Sequence, residues 1–122
     1  MGKPLVLVVD DEALIALDME SALSEAGFAV ALAATCSQAK RFLANHTPAA
    51  AILDVKLSDG ETVDAAKILT GRAVPFVVYS GLGIEETHEA FSSGVRVMKP
   101  AGPAEVIRAL IAMTAGQQKM TG

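Results

Sequence analysis

Apolar positions along the chain follow two alternating patterns. Residues 5–9 (Leu-Val-Leu-Val-Val) form an unbroken β-branched-rich run, the signature of a strand buried on both faces. Four more short runs fall at 28–32, 50–53, 75–79 and 95–98, those at 28–32 and 50–53 being alanine-rich. Between them the spacing changes to that of helices. Over 12–26, Ile15, Met19, Ala22, Leu23 and Ala26 share one face, with Asp18, Glu20 and Glu25 off it, and Gly27 ends the helix. Over 37–46, Ala39, Phe42, Leu43 and His46 align before Pro48. Residues 61–70 repeat more weakly through Val63, Ala66 and Leu69, with Gly71 as terminator. Residues 84–93 are polar and poorly periodic and form the weakest helix expectation. Residues 103–115 align Val106, Ile107, Leu110, Ile111 and Thr114, and Pro103 suits a first turn. The polar tail 116–122 is expected to fray.

Five strands alternating with five helices predict an α/β fold, a parallel sheet wound by right-handed crossovers. In such sheets ligands bind beyond the carboxyl ends of the strands. Asp10, Asp11 and Glu12 follow the first strand run, Asp54 the third, Ser80 with Gly81 and Gly83 the fourth, and Lys99 with Pro100 the fifth. Carboxylates, a hydroxyl and an ammonium thus converge on one edge. Clustered carboxylates repel unless a cation neutralises them. An all-oxygen set suits a hard ion, and Mg²⁺ suits a site that keeps waters and admits a phosphate. Such an ion with Lys99 would offset the repulsion between acids and a phosphoryl group. A carboxylate can itself be the nucleophile, giving an aspartyl phosphate.

Composition narrows the classes further. At 122 residues the chain has room for one domain, spanning 1–122 with its core at about 5–115. Fourteen acids against ten bases, with no basic run, argue against a direct nucleic-acid binder. No apolar run reaches the ~18 residues of a membrane helix. With one cysteine, Cys36, and no secretory pattern at the N-terminus, the chain reads as cytoplasmic.

Taken together, these positions resemble a two-component response-regulator receiver domain (CheY-like), from Leu5 to about Ala115. The resemblance implies a doubly wound five-stranded parallel sheet in the flavodoxin-like order 2-1-3-4-5, flanked by five helices. It implies Asp54 as phosphoacceptor, Asp10 and Asp11 as the acidic metal pair with Asp54, and the backbone carbonyl of Lys56 completing the Mg²⁺ shell. Ser80 would be the switch hydroxyl, Lys99 the phosphate-pairing lysine, and Pro100 the residue after a cis peptide. The implied partners are a histidine kinase or histidine phosphotransfer protein and a downstream protein. The fourth-helix, fifth-strand and fifth-helix face would be the surface for a homodimer. The stretch Pro75-Phe76-Val77-Val78-Tyr79-Ser80-Gly81 also resembles stand-alone receivers with a Pro-Phe-x-Phe-Ala-Thr-Gly segment, Val78 and Tyr79 replacing Phe and Ala.

Two departures touch the output face. Arg96 stands where most receivers place Tyr or Phe, and Ala101 replaces the common Phe after Lys-Pro. A guanidinium is costly to bury unpaired, so Arg96 is expected at the surface, pairing with a carboxylate such as Glu89. A metal-dependent aspartyl-nucleophile phosphatase is the alternative. It needs a second acid two residues after the nucleophile, where this chain has Lys56, and a cap for which there is no length. A flavodoxin-like cofactor binder needs a hydroxyl-rich first loop, which here is Asp10-Asp11-Glu12. Lys56 and Asp59 read as solvated loop charges, Asp59-Gly60 as a turn, and Cys36, His46 and His88 as residues without a ligand role.

Overall fold

The computed structural model describes residues 2–82 and 87–121, with side chains through Thr114. Its chain order is β1 (Leu5–Val9), α1 (Ala13–Glu25), β2 (Ala29–Ala33), α2 (Cys36–Asn45), β3 (Ala50–Leu53), β4 (Lys56–Leu57), β5 (Gly60–Glu61), α3 (Val63–Gly71), β6 (Phe76–Ser80), β7 (Val95–Met98) and α4 (Pro103–Thr121). The main sheet is five-stranded and parallel throughout, in the order β2-β1-β3-β6-β7. This is the flavodoxin-like order once the two-stranded hairpin β4–β5 is set aside.

Alternation along the strands divides the core. Val6, Val8, Ile52, Val77, Tyr79 and Val97 face one side, where Met19 and Leu23 of α1 and Val106 and Leu110 of α4 cover them. Leu7, Val9, Leu53, Phe76 and Val78 face the other, against Leu43 of α2 and Leu69 of α3. Burial on both faces is why β1 reads as an unbroken apolar run rather than an alternating one.

Three elements differ from the sequence expectation. Four α-helices are present among the described residues instead of five. Residues 83–86 lie outside them, and the rest of the weak 84–93 segment forms one 3₁₀ turn, Glu89–Phe91, which puts Phe91 into the core. The helix expected at 61–70 starts two residues later, because Gly60 (φ +134°) and Glu61 pair back onto Lys56 and Leu57 as a hairpin. The last helix runs to Thr121 instead of ending at Ala115, through Gln117, Gln118, Lys119 and Met120, all good helix formers. Gly27 (φ +98°) terminates α1 as expected, but the left-handed residue after α3 is Ala73 (φ +58°) and not Gly71. None of the described helices is long and apolar enough to cross a membrane.

Candidate phosphoacceptor site

Asp10, Asp54, Ser80 and Lys99 sit where strands of the sheet stop. Backbone N–H groups of Asp10 and Asp54 continue the ladder one residue past β1 and β3, donating to Ala33 O at 3.0 Å and Val9 O at 2.9 Å. The ladder therefore fixes both residues, at 5% and 9% exposure, at the carboxyl edge. Ser80, the last residue of β6, is 2% exposed, and its carbonyl accepts from Lys99 N–H at 3.0 Å. The Lys99–Pro100 peptide is cis, as the resemblance implied.

The Lys99 ammonium is the hub. Its Nζ donates to Asp10 Oδ2 at 3.2 Å, Asp54 Oδ2 at 3.2 Å and Glu12 Oε1 at 3.1 Å, and lies 5.2 Å from the centre of the Tyr79 ring. Burial pushes the Asp54 carboxyl above the ordinary carboxylate range; Lys99 pulls it back, and the Asp10 charge adds to the rise. For Lys99 burial disfavours the charged form, but bonding to Glu12 and the charges of Asp54 and Asp10 outweigh it and hold the ammonium above the usual lysine value. The site thus keeps a fixed cation against a carboxylate whose electron pair is more basic than a solvated one.

One oxygen each from Asp10, Glu12 and Asp54 lies within 4.8 Å of the others. This all-oxygen donor set fits a hard divalent ion such as Mg²⁺. Asp11, expected as a metal ligand, is exposed at the bend and stands outside that group, and Glu12 falls inside it. Lys56, whose backbone carbonyl was expected in the shell, lies on β4 with its side chain exposed. Gly81 leaves space beside Ser80, since a Cβ there would meet no described atom within 4 Å.

Several supporting residues escaped the sequence reading. Thr62, 1% exposed, donates through Oγ1 to the Asp54 carbonyl at 2.7 Å and so locks the backbone that carries Asp54. Asp59 is no mere solvated charge, for it caps α2 through Cys36 N–H at 2.8 Å and Ser37 N–H at 3.2 Å. Tyr79 O–H donates to the Ala101 carbonyl, tying β6 to the turn after Lys99. Arg96 is half-buried and donates to the Leu82 carbonyl at 3.0 Å and to Thr87 Oγ1 at 2.7 Å, so its partners lie in the loop after Ser80 and not at Glu89.

A family profile described as the response regulator receiver domain matches residues 6–111. The chain belongs to that family. The curated relatives of this receiver include the photosynthetic apparatus regulatory protein RegA of Rhodobacter capsulatus, 30% identical over 88% of the chain and 61% of RegA. The transcriptional regulatory protein PdtaR of Mycobacterium tuberculosis is 32% identical over 86% of the chain and 54% of PdtaR. The receiver therefore spans between half and two thirds of these relatives. Among solved structures, a CheY-like response regulator receiver domain protein from Methanospirillum hungatei superposes with a TM-score of 0.87. It is 22% identical, over 98% of this chain and 99% of that one. A response regulator receiver protein from Sinorhizobium medicae gives 0.81 at 24% identity, over 93% and 95%.

Proposed function

We propose that this receiver accepts a phosphoryl group on Asp54 from a phosphohistidine of a histidine kinase or phosphotransfer protein, and that the modification changes which protein it binds. The observation that carries the reading is the Asp54 carboxylate, nearly buried, beside Asp10 and hydrogen-bonded to the Lys99 ammonium. An Asp54 oxygen attacks phosphorus, the P–N bond breaks, and the imidazole leaves with the electron pair. Asp10, Asp11, Asp54 and the Lys56 carbonyl would hold Mg²⁺, which when bound supplies positive charge to the phosphoryl oxygens. Lys99 offers a second positive charge and Ser80 a hydroxyl donor at the adjacent strand end. Leu14 and Leu17, 80% and 54% exposed on the first turns of α1, give a donor protein an apolar foothold beside the acidic loop. Val95 and Met98, 42% and 47% exposed on edge strand β7, support the fifth-strand face as the output or homodimer surface. The reading is of a cytoplasmic signalling module rather than an enzyme acting on a separate substrate.

Acetyl phosphate with Mg²⁺ tests it by intact-mass spectrometry. One acid-stable, alkali-labile phosphoryl group is expected on the wild type, with none on Asp54→Asn and none after chelation of the metal. Uptake at an unchanged rate by Asp54→Asn would move the acceptor elsewhere and remove the central assignment.

A further inference from the structure

Glu12 makes an unusual choice for an acid at a helix entry. It is the N-cap of α1, yet its side chain makes no capping bond; such a carboxylate ordinarily turns to the free N–H groups of the first turn. Instead its backbone N–H donates to Asp10 Oδ1 at 2.9 Å, and its carboxylate reaches across the site to Lys99 Nζ at 3.1 Å. The two aspartates sharing that ammonium are nearly buried, whereas the Glu12 side chain is 60% exposed.

Lys99 Nζ lies within hydrogen-bond distance of Oδ2 on both Asp10 and Asp54. A divalent ion bridging those oxygens and an ammonium between them would repel each other at close range, so both cannot hold the position. Of the three carboxylates, Glu12 is the one whose exposed, longer side chain can follow the ammonium as it moves. The Tyr79 ring, 5.2 Å from Nζ, is a second contact that such an ion does not compete for.

We propose that Glu12 is a positioning residue: it keeps Lys99 when a divalent ion takes up Asp10 and Asp54, leaving the ammonium within reach of a phosphoryl group on Asp54. The proposal rests on the phosphoacceptor reading. Without the ion, Glu12 is one of three partners of Lys99; with it, Glu12 is the carboxylate that remains. Removing Glu12 therefore penalises the ion-bound form more, and it does so through Lys99.

Isothermal titration of Mg²⁺ into the wild type, Glu12→Gln, Lys99→Met and the double variant tests this. Glu12→Gln is expected to raise Kd about fivefold when Lys99 is present, the order of an exposed ion pair. In the Lys99→Met background the same change should raise Kd less than about twofold. Equal factors in both backgrounds would make Glu12 a direct ligand or a distant charge and overturn the proposal, as would an unshifted Kd in Glu12→Gln. A wild type that binds no Mg²⁺ would remove the phosphoacceptor reading and the proposal together; binding by the wild type with no effect of Glu12→Gln removes the proposal alone. If Lys99→Met does not fold, a crystal structure of the Mg²⁺-bound wild type decides. Nζ on Glu12 and off both aspartates supports the proposal, and Nζ still on Asp10 or Asp54, or Glu12 on the ion, overturns it.

Discussion

The carboxylate of Asp59 links the β4–β5 hairpin to the start of α2. It sits in the turn of the β4–β5 hairpin, just past Asp54, and its two oxygens bind the first N–H groups of α2. Those N–H bonds, from Cys36 and Ser37, hold the Asp59 pKa below its ordinary 3.8. A carboxylate whose folded-state pKa is depressed contributes stability that is present above the unfolded value and is lost as pH falls through the folded one. Asp59→Ala is therefore expected to lower the melting temperature at neutral pH, with the difference closing as the pH falls below the ordinary carboxylate value and through the depressed one. Thermal unfolding followed by circular dichroism at a series of pH values checks it; a gap that persists in strong acid would assign the effect to something other than the charged cap. The same carboxylate has a second consequence, since burial first and then Asp59 raise the Cys36 thiol to about 11, which keeps it protonated and unreactive at neutral pH.

At the scale of elements, the junction into β7 depends on a close approach. A Cβ on Gly94 would fall 2.5 Å from Cε2 and 2.7 Å from Cδ2 of Phe76, and 3.0 Å from the Phe76 carbonyl oxygen. Phe76 is 1% exposed and packed in the core, so neither the ring nor the strand can yield freely. Gly94→Ala is expected to destabilise by about 1–3 kcal/mol as an overpacking substitution, read as a lower midpoint in urea with an unchanged slope. The long elements were legible in the sequence because each buries a continuous run or a helical face. What was not legible is short: the hairpin β4–β5 has two residues per strand, too few for any period to show. The 3₁₀ turn at Glu89–Phe91 is held by the buried Phe91 ring and by His88 Nδ1 accepting from the Ala90 N–H, in a segment whose composition is otherwise that of a solvated helix.

For the whole molecule, the site was readable because topology places it. Asp10, Asp54, Ser80 and Lys99 each stand at the end of a strand or one residue past it, and a parallel sheet gathers strand ends without any help from neighbouring residues. Which carboxylates of the Asp10-Asp11-Glu12 bend turn toward Asp54, and the loop partners of Arg96, depend on which way a side chain leaves the backbone, and no periodicity encodes that. The strand order has a kinetic consequence. Strand β1, paired on both sides, completes its ladders with β2 and β3, so by Leu53 its pairing partners are all in the chain, while β6 and β7 must be added later to the far edge of β3. Along β1 and β3 every residue from Val6 to Val9 and from Ala50 to Leu53 is buried, whereas edge strand β7 leaves Val95 and Met98 exposed, so pairing in the N-terminal half is rewarded by more apolar burial. The transition state for folding should then be organised around the N-terminal three strands. Val8→Ala is expected to slow refolding, with a φ-value of about 0.5–0.8, and Val97→Ala mainly to speed unfolding, with a value below about 0.3. Stopped-flow chevron plots of the two variants measure both, and the reverse ranking would place the nucleus in the C-terminal half. On this account the half of the receiver carrying the acidic residues assembles first, and the strands that deliver Ser80 and Lys99 dock onto it.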